Sequence, residues 1–291
     1  MDDYLLRVWS REAGVRGLIC LTTNLVNEGV RRHQALPTAA AALGRALTGG
    51  ALIGGLLKVA QRVAVKFEGN GPLKKMIVES DSNGVVRGYV QEPLVDLPQT
   101  AQGHDVVGAI GVAGLLTVVK DVGLRDLPQS VIPLATSTID GDLTAYLEQS
   151  EQITSMVQVG SIVDETGYTT IAGGILLQAM PPRGADVVQL LRECLQEMPP
   201  IEVMLASGQT PEQVAKQLFG ELAYVELEKR PLIFQCSCSR ARSEKALLSL
   251  GRAEIELLLE EGEAVIDCHF CHERYVFDRD DLEILLGEMS D

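Results

Sequence analysis

The sequence predicts an α+β protein in three parts: an N-terminal antiparallel-sheet domain with packed helices over residues 1–180, a mainly helical linker over 181–231, and a small C-terminal module over 232–291. Three observations carry this. Apolar residues alternate with period two between Asn-Gly turns from 62 to 90. Helical spacing takes over after about residue 181. Four of the six cysteines fall in two close pairs beyond residue 232.

The first strong element is "ALPTAAAALGRALTGGALIGGLLK" (35–58), apolar enough to test as a membrane span, which needs about 20 predominantly apolar residues. Arg45 interrupts it, and the longest charge-free run, Ala46 to Leu57, is short and glycine-rich, so a buried helix over Ala39 to Lys58 and no membrane partner are expected. Next, "RVAVKFEGNGPLKKMIVESDSNGVVRGYV" (62–90) reads as a three-stranded meander. Val63, Val65 and Phe67 alternate with polar or small residues, and Asn70-Gly71 and Asn83-Gly84 supply turns that tolerate positive φ. Further strands are "LLTVVKD" (115–121), "TSMVQVGSIVD" (154–164) and "YTTIAGGILLQAM" (168–180), the last two joined at Glu165-Thr166-Gly167. "LTAYLEQSEQ" (143–152) has helical periodicity.

Beyond "QAMPPRG" (178–184) the texture is helical. "ADVVQLLRECLQEM" (185–198) sets Val188, Leu191, Leu195 and Met198 at three- to four-residue spacing, and Pro199-Pro200 stops it. "TPEQVAKQLFG" (210–220) carries its own punctuation: Thr210 as N-cap, Pro211 at the first helical position, Gln213 completing a capping box, Gly220 at the end. One long helix, "SEKALLSLGRAEIELLLEEG" (243–262), is expected between the cysteine pairs.

The bulk numbers exclude several functions. With 46% hydrophobic and 22% charged residues among 291, the chain is an ordinary globular one. Its formal net charge of −15 opposes nucleic-acid binding, which rests on Lys and Arg neutralising phosphates. Residues 236–291 carry six Lys or Arg against fourteen Asp or Glu, a formal net of −8, so the cysteine-bearing end is no exception. Asp2 and Asp3 stand where a secretory signal would be positive, so a cytoplasmic location is expected. "EGNG" is a lone GxG in a hairpin turn and "GGALIGGLLK" lacks the GK[ST] ending of a phosphate loop. "RRH" (31–33) reads as a solvated face or ion-pair donor, and no Ser-His-Asp or paired-carboxylate constellation points to an enzyme.

Cys236 and Cys238 enclose one residue, Cys268 and Cys271 enclose two, and residues 239–267 separate the pairs. Two thiolate clamps brought together make a tetrahedral sulfur cage, which suits one Zn²⁺ per chain with Zn–S near ~2.3 Å. A catalytic zinc is disfavoured, because such sites keep a position open for water and mix in His or Glu. Permanent disulfides suit a secreted chain better than a cytosolic one. His269 and His272 flank the second pair as exposed or supporting residues, since four sulfurs already fill four positions. Isolated Cys20 and Cys194 read as buried, unreactive thiols. A CxxC also admits a thiol-disulfide oxidoreductase using Cys268 and Cys271, although no thioredoxin-like βαβ pattern surrounds it.

These residues closely resemble one family, the redox-regulated holdase chaperones known as heat-shock protein thirty-three. The likeness runs through "LPTAAAALGRALTGGALIGGLLK", "GNGPLKKMIVESDSNGVVRGYV", "YLEQSEQ" and the CxC and CxxC pairs ending in "CHFCHERYVF". Lys74 and Lys75 depart from the small residues often found after "GPL", which touches surface charge alone. The resemblance implies an ATP-independent, non-enzymatic cytosolic chaperone that protects unfolding client proteins under oxidative and heat stress. It implies zinc on the four cysteines when reduced and disulfides Cys236–Cys238 and Cys268–Cys271 when oxidised, whereas the residues alone leave three connectivities open. It further implies that oxidation unfolds the zinc module and linker, uncovers a client surface, and favours a homodimer.

Overall fold

In the computed structural model, residues 2–101, 103–123, 126–180 and 183–289 are described. The chain divides into two compact units, Met1–Gln235 and Cys236–Asp291.

The first unit opens with strands β1 (Tyr4–Ser10) and β2 (Val15–Leu21), then helices α1 (Thr23–His33) and α2 (Pro37–Gly54). The meander follows as β3 (Arg62–Gly69), β4 (Lys75–Asp81) and β5 (Val85–Val90), then α3 (Val106–Ile110), β6 (Gly114–Asp121), β7 (Gln129–Pro133), α4 (Ile139–Gln149), β8 (Ser155–Val163) and β9 (Thr169–Ala179). Helices α5 (Ala185–Glu197), α6 (Ile201–Ala206) and α7 (Pro211–Phe219) lead to β10 (Val225–Pro231) and the two-residue β11 (Ile233–Phe234).

Two sheets result. One is antiparallel with order β10-β1-β2-β9-β8. The other has order β11-β5-β4-β3-β6-β7, antiparallel except for the parallel β11–β5 pair. Helix α2 packs against strands of both, which is why an almost uniformly apolar helix is stable here: every residue but Arg45 is buried. Its glycines let the sheets approach. A Cβ on Gly50 would stand 2.3 Å from Val78 Cγ1, and one on Gly54 would stand 2.1 Å from Ser80 Oγ. Among the described residues no helix is long and apolar enough to cross a membrane. The helix starts at Pro37 and ends at Gly54, shifted slightly toward the N-terminus of the expected span.

The first sheet is covered on both faces. Leu5, Leu18, Cys20 and Leu176 point into the core shared with α2. Tyr4, Leu6, Val8, Ile19, Ile175 and Leu177 point into a second core closed by α5, α6 and α7. Val188, Leu191, Leu195 and Leu218 are each at most 3% exposed in that second core, so α5 and α7 lie on the sheet and share its interior. The α7 N-terminus has the expected form: the Thr210 hydroxyl accepts from the Gln213 backbone, the Gln213 side chain accepts from the Thr210 backbone, and Pro211 opens the helix. Pro200 ends the α5 connection and caps α6.

Some details differ from the sequence reading. In the β3–β4 turn the left-handed residue is Lys74, not Gly71, while Gly84 in the next turn does take φ +89°. Arg31 and Arg32 both pair with Glu28, as an ion-pair donor run would, but His33 turns inward and is buried.

The second unit contains α8 (Arg240–Leu250), α9 (Arg252–Glu261), the hairpin β12 (Ala264–Asp267) and β13 (Arg274–Phe277), and α10 (Arg279–Glu288). The single helix expected over 243–262 is two helices. Gly251 sits between them at φ +95°, ψ 162°, a conformation that no α-helix contains. Leu247, Ile255, Ala264, Phe277, Leu282, Leu285 and Leu286 form its small core.

Candidate metal centre

The hairpin builds half of the site. Strands β12 and β13 pair in register with Ile266 opposite Tyr275 and Asp267 opposite Arg274, so residues 268–273 must turn. The turn is tied by Cys268 N–H donating to the Glu273 carbonyl at 3.0 Å and His272 N–H donating to the Cys268 carbonyl at 2.8 Å, with His272 at φ +55°. Backbone N–H groups of Phe270 and Cys271 are aimed at the Cys268 sulfur, and that of Glu273 at the Cys271 sulfur. Such a turn holds two sulfurs on one side of a loop.

The CxC arm supplies the other half. Ser239 caps α8, its hydroxyl accepting from Arg242 N–H, and Arg242 reaches back to the Ser237 carbonyl at 2.8 Å and hydroxyl at 2.7 Å. Ser237 is thereby pinned, which fixes Cys236 and Cys238 on either side of it.

The four sulfurs converge: all lie within 4.8 Å of one another, with Cys236 Sγ 3.7 Å from Cys268 Sγ and Cys238 Sγ 3.3 Å from Cys271 Sγ. Four ligands at the ~2.3 Å of a zinc–sulfur bond stand ~3.8 Å apart along the edges of a tetrahedron, whereas a disulfide brings sulfurs to ~2.05 Å. No disulfide joins any of the six cysteines, all of which are among the described residues. Cys271 is buried and the other three sulfurs are half-buried. Burial pushes the thiols of Cys268 and Cys271 up despite the backbone N–H groups that favour their charged forms. Four crowded thiolates therefore need a cation, and the donor set fits a soft divalent metal. Tyr275 completes the surroundings, its hydroxyl donating to Cys238 Sγ at 3.2 Å. Neither spacing nor motif singles this tyrosine out, because the hairpin register puts it there.

His269 and His272 are exposed, and among the described residues the converging metal-capable group consists of the four cysteines. Cys20 is fully buried in β2, and burial pushes its thiol up. Cys194 is not buried as expected: it falls off the Val188–Leu191–Leu195 stripe of α5 and is exposed.

The profile of the family described as Hsp33 protein matches residues 3–278. The chain belongs to the Hsp33 family. Among Hsp33 relatives, the 33 kDa chaperonin of Geobacter sulfurreducens is 50% identical over 291 residues, covering 100% of this chain and 97% of the relative. That of Bacillus cytotoxicus is 41% identical over 288 residues, covering 98% and 99%. The crystal structure of the 33 kDa chaperonin (heat shock protein 33 homolog) of Thermotoga maritima superposes with a TM-score of 0.90 at 34% identity, covering 99% of each chain. Membership is thus a property of the full length, and the α+β architecture is the family's.

Proposed function

We propose that this chain is an ATP-independent holdase chaperone whose Cys236, Cys238, Cys268 and Cys271 hold one Zn²⁺ when reduced, and whose oxidation frees a surface for unfolding client proteins. The observation that carries this reading is the convergence of four sulfurs in a unit whose core is seven side chains. The chaperonin name shared by its relatives supports the class.

When bound, Zn²⁺ supplies the charge that keeps the four sulfurs deprotonated and joins the CxC arm to the CxxC hairpin. Thiolate is the form that oxidants attack, so the sulfurs are held ready. In the proposed step, peroxide takes two electrons from each near-neighbour pair, forming Cys236–Cys238 and Cys268–Cys271 while the peroxide oxygens leave as water. Bridged sulfurs are no longer ligands. Structural zinc contributes about 10–16 kcal/mol to small domains, against about 5–15 kcal/mol of total stability, so a unit this small opens.

In this reading, residues 1–180 are the client-binding and dimerising core, 181–231 the linker, and 232–291 the switch. The chain passes from β10 through β11 directly into Cys236. Release of α5–α7 would bare the apolar face of Tyr4, Leu6, Val8, Ile19 and Leu177, the kind of patch that captures unfolded chains. A formal charge of −15 favours solubility of that open form and gives no reason to expect a nucleic-acid partner. A cytoplasmic location, homodimer formation when active and the lack of enzymatic turnover belong to the same proposal.

The test is zinc content before and after peroxide with mild heating, read beside light scattering from a thermally unfolding test protein. About one zinc per reduced chain, lost on oxidation, with suppression only afterwards, is expected. Equal suppression by the reduced, zinc-loaded protein overturns the switch. Zinc retained under oxidant favours a static zinc-stabilised module, and turnover in an insulin-reduction assay favours the oxidoreductase.

A further inference from the structure

The Tyr275 ring is half-buried against the small core of the second unit, while its hydroxyl reaches the rim of the sulfur cluster. There it donates to Cys238 Sγ at 3.2 Å. Cys268 and Cys271 receive backbone N–H groups from their own turn. Cys238 receives a side-chain donor from 37 residues away, on a different element. Strand register enforces the contact: Tyr275 pairs with Ile266 two positions before Cys268, so the ring stands beside the turn that carries the second cysteine pair.

A hydroxyl donated to a thiolate draws electron density from the sulfur and occupies one direction of approach. Both effects slow attack on an electrophile, and donors around a metal site also hold ligand sulfurs in place. We infer that Tyr275 is a positioning residue that shields Cys238, making it slower to be oxidised or alkylated than it would otherwise be, and that it thereby sets how much oxidant the centre withstands before it opens. The inference rests on the four-sulfur metal centre proposed above, but the shielding itself needs only the hydrogen bond.

The test compares the reduced full-length protein with Tyr275→Phe and with Arg274→Ala. The phenylalanine variant removes one hydroxyl and keeps the ring. Arg274→Ala breaks the Arg274–Asp267 ion pair of the same hairpin without touching a sulfur. Two quantities are measured: alkylation rate at each cysteine by tandem mass spectrometry, and zinc release under peroxide. Tyr275→Phe is expected to raise modification at Cys238 about three- to tenfold relative to Cys268, the factor that loss of one net hydrogen bond gives, and to speed zinc release, while Arg274→Ala leaves the ratio unchanged. An unchanged Cys238 ratio in Tyr275→Phe overturns the inference. Equal acceleration at all four sulfurs also overturns it, because the ring would then be a structural prop. Absence of zinc from all three proteins would sink the metal reading instead, and the Cys238 ratio would still decide for or against Tyr275.

Discussion

The Tyr4 hydroxyl donates a 2.6 Å hydrogen bond to Glu212 Oε2, joining β1 to α7. Lys229 on β10 donates to the other carboxylate oxygen at 3.0 Å while its ammonium lies 3.9 Å from the Tyr4 ring centroid. Burial alone would raise the Glu212 carboxyl, but the Tyr4 and Lys229 hydrogen bonds outweigh it and bring the group down to about 2.

This triad makes linker docking testable. Tyr4→Phe keeps the ring and removes one donor to a charged acceptor, so docking of α7 should weaken by about 1.5–3 kcal/mol. Hydrogen exchange over 211–219 should accelerate, with the sheet amides unchanged. Because the Glu212 carboxyl is depressed in the folded state, its contribution is complete above the ordinary carboxylate range and fades as pH falls from 4.5 toward 2. Unchanged exchange in Tyr4→Phe would show that the apolar face alone holds the helix.

Asp3 titrates in the opposite sense. Its Oδ2 accepts the Leu25 N–H at 2.7 Å near the start of α1, and burial raises the carboxyl from 3.8 to about 6. The folded state therefore holds its proton more tightly, so the contribution of this carboxyl to stability is fully present below pH 3.8 and is lost as pH rises through 6. The loss is at most about 3 kcal/mol at ~1.36 kcal/mol per unit. Asp3→Asn keeps an acceptor and should flatten this part of the urea-derived stability curve. An unaltered slope between pH 4 and 6 would place the titration elsewhere.

Gly251 gives a backbone test in the second unit. At φ +95°, ψ 162°, with nothing within 4 Å of an added Cβ, Gly251→Ala should cost about 1–3 kcal/mol through backbone strain alone. Gly287, inside α10 with equally open space, is the control, where alanine should be neutral or stabilise by up to about 1 kcal/mol. Exchange protection of α8–α10 reports both.

Metal removal should separate the two units. With a zinc chelator, amides of α8, α9 and α10 should lose protection, while β3–β5 and α2, which lie in a core of more than forty buried or packed side chains, should keep theirs. A second unit still protected in chelator would mean that its seven-residue core suffices.

How much of this is legible in sequence depends on how many faces each element buries. The β3–β5 meander has one buried and one half-exposed face, so Val63, Val65 and Phe67 alternate visibly. Strands β1 and β2 bury both faces, so "VRGLICL" has no period to read, and they escape notice until the structure shows them at the centre of a sheet. Strand β10, "VELEKRP", is an exposed edge strand rich in charge and offers little apolar signal. The α8–α9 break hides because helical periodicity runs through Gly251. At the site, cysteine spacing announces the cluster, while the Tyr275 contact depends on hairpin register and the Cys194 exposure on which side of α5 meets the sheet.

The order β10-β1-β2-β9-β8 carries one more consequence. Helices α5–α7 fall in the chain between β9 and β10, two strands of this one sheet, so the cover they form is tethered at both ends. Letting go would produce a closed bow whose return is a local event, insensitive to protein concentration and only logarithmically to length. If the proposed opening frees α5–α7 while β10 stays paired with β1, the cover could lift and return without its flanking strands having to find their partners again.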